Sequence, residues 1–248
     1  MPTHSGPQDR PVILITGFGP FPTVAANATS ILVPRIAETA RQAIPGVAIA
    51  AHILPTEWET SLSLVHVLTQ RLRPAVALHF GVSGRATGFE IETRGRNRCC
   101  LSEDAAGRLP TDVCLSAGGP EFLPATLPAA HIVMRLRQRG LPAQISRDAG
   151  GYLCNALLYR SLEIARRSNA PTRTGFVHLP TSLINERRPA CEPRISGRLT
   201  WDDVVDGSLE ILLATLGRRS GRPRNGGGFG VMMKRRVHAG LRSTIVET

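Results

Sequence analysis

Lysine is nearly missing from this chain: of its 30 basic residues, only Lys234 is not an arginine. An arginine bias of this kind is what a G+C-rich coding sequence produces, so the formal net charge of +11 is weak evidence for a nucleic-acid face. Eight of the basic residues also fall after Gly217, against the single Glu247. That distribution reads as a solvated basic tail on a mildly basic domain, and no specific nucleic-acid partner is expected. Long apolar runs are missing too. Apolar runs such as residues 12–15 and 75–78 fall far short of the roughly 20 residues that span a bilayer, so no membrane partner is expected. The opening "MPTHSGPQDRPV" has no basic stretch leading into an apolar one, which predicts no secretory signal and a cytoplasmic location. Finally, the five cysteines are odd in number and form no CxxC pair or Cys/His ligand spacing, so they read as reduced thiols and predict no bound metal.

What is present is a strand and helix rhythm. A chain of 248 residues is long enough for one large α/β domain. "PVILITGFGPF" reads as a β-branched strand over residues 12–16 broken by glycines. Asn27 to Ser30 then offer N-caps for a helix with Ile31, Val33, Ile36 and Ala40 at helical spacing, where Pro34 is tolerable only in the first turn. The pattern continues with a strand over 47–54, a helix over 57–72 carrying Leu62, Val65, Leu68 and Leu72, and a strand over 75–80. These strands are continuously apolar, which predicts burial on both faces. A short alternating strand over 89–93 puts Glu90 and Glu92 on one side and Ile91 on the other. Residues 107–128 read as a long Gly/Pro-rich surface loop. Beyond it come a helix near 130–138, a strand near 143–146, a helix after Cys154, a strand over 175–179 and a helix near 201–216. The expected fold is a single-domain open, mostly parallel α/β sheet flanked by helices, of phosphorylase/hydrolase type. Its domain covers 11–219, between a disordered start (1–10) and a disordered Gly/Arg-rich tail (220–248).

Open α/β sheets bind ligands beyond the carboxyl ends of their strands. Three chemically capable residues stand there. Cys154 falls in the first turn of a helix, where unpaired N–H groups and the helix dipole favour a thiolate. His178 ends the strand "GFVHLP", and Glu92 could fix the tautomer of a histidine base. Taken singly each is more often structural, and spacing alone does not bring the three together.

The blocks "LITGFGPF" with Asn27, "GVSGRATGFEIETRGRN", "SRDAGGYLCNALLY" and "GFVHLP", in that order, resemble the pyroglutamyl peptidase I family of cysteine exopeptidases, which remove N-terminal 5-oxoproline from peptides. The resemblance implies Cys154 as nucleophile, His178 as general acid/base and Glu92 as the carboxylate that orients it. It further implies Phe18 and Phe21 around the lactam ring, with Asn27, Val82, Tyr152 and Leu153 lining the rest of the pocket. No cofactor or metal is implied; the partners are N-terminally pyroglutamylated peptides and further copies of the chain, as dimer or tetramer. The chain departs from the family at residues 100–107, where an arginine-bearing loop is usual, and at Val82, where glutamine is common. Two other readings compete: a nucleoside-phosphorylase-like enzyme using Arg85 for phosphate, and a degenerate member that binds peptides without turnover.

Overall fold

Alternation within single strands decides the layering. In β1 (Val12–Phe18), Ile13 and Ile15 face one apolar core while Leu14 and Phe18 face another, so the sheet is covered on both sides. A computed structural model describes residues 10–21, 27–169, 172–183 and 199–219. After β1 come α1 (Ala28–Ala43), β2 (Ala48–Leu54), α2 (Trp58–Leu72), β3 (Val76–Ser83), β4 (Phe89–Glu92), β5 (Arg94–Arg96), β6 (Phe122–Pro124), α3 (Ala129–Gln138), β7 (Ala143–Ser146), α4 (Leu153–Arg167), β8 (Arg173–Pro180) and α5 (Trp201–Thr215). Helices α1, α3 and α5 cover the first face, α2 and α4 the second.

The six-stranded sheet has the order β2-β1-β3-β8-β4-β7, and β5 pairs with β6 in a separate ribbon. Strands β2, β1, β3 and β8 run parallel. Strand β4 then pairs with β8 antiparallel, and β7 follows β4 in parallel. The sheet therefore reverses direction at the β8/β4 seam. Each fully buried Ile or Leu in the layers contributes roughly 1.5–3 kcal/mol, and trimming the fully buried Phe176 to alanine would cost about 3–5 kcal/mol. On the α3/α5 side, buried Glu210 accepts from Arg135 at 2.7 and 3.1 Å and also binds Arg139. Breaking that cluster would cost about 3–5 kcal/mol. Helix α5 starts with a capping box, Thr200 and Asp203 each accepting from the other's backbone N–H, so Thr200→Ala costs about 1 kcal/mol.

Several expectations shift. Strand β2 is an edge strand and stays half-exposed, unlike β1 and β3. In α1 the buried stripe is Thr29, Leu32, Val33, Ile36, Ala37 and Ala40, leaving Ile31 47% exposed, one position off the expected face. Pro34 sits inside α1 beyond the first turn, on its exposed side, where water can serve the carbonyl its missing N–H leaves free. The loop over 107–128 contains β6, which reaches back to β5. The proposed disordered tail, nearly all of the disordered start, and Cys191 lie outside the described residues.

Candidate active site

The β8/β4 seam brings the first pair together. Glu90 lies opposite His178 and Glu92 opposite Phe176, so all four side chains share one face of the sheet. Across the diagonal, Glu92 Oε1 lies 2.8 Å from His178 Nδ1, with Glu92 wholly buried and His178 5% exposed. The other carboxylate oxygen of Glu92 has no partner among the described residues, so its charge leans on the imidazole alone.

Helix α4 delivers the third member. Cys154 is its second residue, partly exposed, and its thiol lines the same cavity as the His178 imidazole. Tyr152, the N-cap, supplies no side-chain cap, and among the described residues no acceptor is found for the N–H of Leu153 or Cys154. The turn into the helix depends on Gly150, whose φ of 81° suits glycine, with Asp148 Oδ1 accepting its N–H at 3.0 Å. Burial pulls the His178 imidazole down, but the Cys154 thiolate, its hydrogen bond and Glu92 push the other way and raise it to about 10. An imidazole raised in this way beside a thiol is placed to take the thiol's proton. Gly81 makes room for it: a Cβ there would lie 3.0 Å from the Cys154 sulfur and 2.7 Å from the Phe176 ring.

A cavity of about 190 Å³ opens beside the thiol. Phe18, Phe21, Asn27, Val82, Tyr152 and Leu153 all line it, together with Cys154 and His178. Phe18 and Leu153 are buried; Phe21, Val82 and Tyr152 are half-buried. Asn27 contributes less directly than expected. Its amide caps α1, accepting from Thr29 N and Thr29 Oγ1 and donating to Gly19 O, so it shapes the wall by holding the loop. Glu92 stands behind His178, outside the cavity lining.

Sequence reasoning missed the residues that brace this wall. Tyr152 stands edge-on to Trp58 at 5.0 Å, and its hydroxyl donates to Glu103 O. Trp58 Nε1 donates to Ser102 O. Asp104 accepts from Trp58 N, Ala106 N and Arg108 N, each at 2.9 Å. Burial works to raise the Asp104 carboxyl, yet those N–H groups and the Arg108 charge hold it below the usual range. The segment 100–107, which departs from the family pattern, is thus the strut behind Tyr152. Asn155, next to the thiol, bonds Arg96 N, Arg96 O and Arg98 O and ties α4 to β5. An asparagine inside an apolar helical run was the available signal.

Arg85 also lines the cavity, with its side chain 76% exposed and 3.8 Å from Asp148. Among the described residues, one acid and imidazole group, Glu90, Glu92 and His178, has its ligand atoms within 4.8 Å. Glu92 already occupies Nδ1 and the thiol shares the cavity with the ring, so the set reads as proton machinery first. No described helix is long and apolar enough to cross a membrane.

An α/β sheet carrying a thiol, an imidazole and a buried carboxylate at its strand ends defines a cysteine-type hydrolase. The sequence matches the family described as pyroglutamyl peptidase over residues 12–194. The chain is 32% identical over 219 residues to pyrrolidone-carboxylate peptidase 1 of Ralstonia nicotianae, covering 88% of this chain and 98% of that protein. It is also 32% identical over 177 residues to pyroglutamyl-peptidase 1 of Rattus norvegicus, covering 70% and 80%. Its fold is similar to the crystal structure of Bacillus amyloliquefaciens pyroglutamyl peptidase I, with a TM-score of 0.72, 25% identity and coverage of 84% and 98%. A mutant pyrrolidone carboxyl peptidase of Pyrococcus furiosus gives 0.71 and 26%, covering 83% and 98%. The chain belongs to the pyroglutamyl peptidase family.

Proposed function

We propose that the chain hydrolyses N-terminal pyroglutamate from peptides, with Cys154 as nucleophile, His178 as general acid/base and Glu92 as its orienting carboxylate. The observation that carries the reading is the Glu92–His178 contact of 2.8 Å beside the Cys154 sulfur, in a chain of this family. The Cys154 thiolate attacks the carbonyl carbon that joins pyroglutamate to the next residue. The N–H groups of Leu153 and Cys154 receive the oxyanion. His178 gives its proton to the leaving nitrogen, the amide bond breaks, and a thioester to pyroglutamate remains. Water, deprotonated by His178, then attacks the thioester and releases pyroglutamic acid. Phe18 and Phe21 hold the flat lactam. An ordinary N-terminus would have to bury an ammonium against them without a partner, so the pocket excludes it.

The same reading extends to a cytoplasmic enzyme, since the described cysteines are all free thiols, to a domain spanning 11–219, and to a homo-oligomer that light scattering would measure. The test of function is release of fluorophore from a pyroglutamyl coumarinamide and its loss after iodoacetamide. No release by the untreated protein overturns the reading.

A further inference from the structure

We propose that Glu90 binds the newly freed α-ammonium of the departing peptide, making the leaving side of the cavity selective for product over substrate. The inference rests on the proposed catalytic roles of Cys154 and His178. Its ground is the order of groups across the strand ends. Phe18 and Phe21 stand at the β1 end of the cavity, Val82 at the end of β3, His178 on β8 and Glu90 on β4. With the lactam against Phe18 and the scissile carbonyl at Cys154, the rest of the peptide leaves past His178, toward β4. Glu90 is the residue directly opposite His178 on that strand, half-buried, and lines the same cavity.

Its carboxylate is available. One oxygen accepts from Gln144 Nε2 at 2.7 Å, which steadies the side chain; the His178 imidazole lies within 4.8 Å of the carboxylate, and no arginine or lysine makes an ion pair with Glu90 among the described residues. The neighbouring acids are committed elsewhere: Glu92 to His178, and Asp148 to Gly150 N–H and Arg85. The chemistry then supplies a ligand that did not exist before cleavage. In the substrate the nitrogen is a neutral amide. After cleavage it has taken one proton from His178 and takes a second from water, because an α-amino group titrates near 8. The ammonium thus forms within reach of a half-buried carboxylate, where a charge-assisted hydrogen bond is strong. Peptides with free N-termini should therefore compete with substrate, and acetylating them should abolish the competition.

The experiment uses alanyl-alanine amide and its N-acetyl form as inhibitors of coumarinamide hydrolysis, with protection of Cys154 from iodoacetamide as a second readout that needs no turnover. Expected is inhibition and protection by the free amine with wild type and with Glu90→Asp, weakened about tenfold or more in Glu90→Gln, and none by the acetylated form. Glu90→Thr repeats the comparison should Glu90→Gln fail to fold. Equal inhibition of wild type and Glu90→Gln, or equal inhibition by both peptides, overturns the proposal. Absence of hydrolysis by wild type would sink the catalytic reading instead, and the protection assay would still decide the role of Glu90.

Discussion

Two histidines on adjacent strands of the same sheet have opposite fates. His79 on β3 and His178 on β8 are both buried, and the ring of Phe176 lies 6.4 Å from the first and 4.8 Å from the second. His79 has a neutral partner, Thr16 Oγ1 at 2.8 Å from Nδ1, and an Nε2 without a partner among the described residues. Burial alone acts on it, and its pKa falls to about 3. His178 suffers the same burial but faces a thiolate and a carboxylate, and its pKa rises to about 10. Burial is therefore not what makes a histidine chemically useful here. Two anions placed against the ring reverse its effect, and a neutral hydroxyl does not.

The comparison breaks most severely when the anions or the base are removed. Cys154→Ser and His178→Ala should each lower turnover of the coumarinamide roughly a thousandfold or more. Glu92→Gln should lose roughly a hundredfold less, because the carboxylate supports the base without moving the substrate proton. A Glu92→Gln rate equal to wild type would reduce the triad to a dyad.

Removing the thiolate without adding a group sharpens the contrast. In Cys154→Ala, NMR titration should find His178 well below its wild-type value of about 10, since the thiolate is the largest influence raising it. An unchanged titration would mean that Glu92 alone sustains the cation.

The two rings also act on stability with opposite signs. His178, raised in the fold, contributes stability that is full below the unfolded value near 6.5 and lost as pH rises through about 10. His79, lowered in the fold, is protonated more readily when unfolded. Its effect is absent above 6.5 and destabilises progressively as pH falls toward about 3. At pH 5 that amounts to about 2 kcal/mol. Urea unfolding of a Thr16→Val, His79→Leu double variant should show this part of the acid loss gone. The smallest effect concerns the thiols outside the site. Serine at the exposed Cys100 or Cys114 should leave turnover within about twofold, since surface changes rarely exceed a fraction of a kcal/mol, and serine at the buried Cys99 should keep turnover apart from a packing cost.

Much of this was legible in the chain. Long apolar strands and amphipathic helices declared themselves, and β7 (Ala143–Ser146) fell where a strand was expected. Cys154 at a helix start and His178 at a strand end were visible because helix dipoles and strand ends are local properties. Illegible was everything fixed by distant pairing. The three-residue strands β5 and β6 exist through their long-range ladder, which no local propensity announces. The one-position error at Ile31 arose because a stretch as apolar as "ILVPRIA" fits two helical faces, and only the packing against the sheet selects Leu32. The Glu92–His178 contact depends on the antiparallel seam, so the carboxylate could be nominated from its strand but not placed. His79 and Asp104 gave no signal, since their meaning lies in what surrounds them.

Strand β8 lies in the middle of the sheet, between β3 and β4, yet among the described residues it is the last strand to be synthesised. Until it emerges, the nascent chain holds β1 to β3 on one side and β4 and β7 on the other, with no ladder to join them. Cys154 has by then left the ribosome without the imidazole it faces in the finished fold, and Glu92 waits 86 positions upstream for the same partner. Closure of the sheet and the meeting of Cys154 with His178 are one event, driven by the most non-local strand pairing among the described residues, which is the slow kind to form. An incomplete chain is thereby kept from acting on peptides around it, and the unpaired edges of β3 and β4 mark where such a chain would aggregate instead.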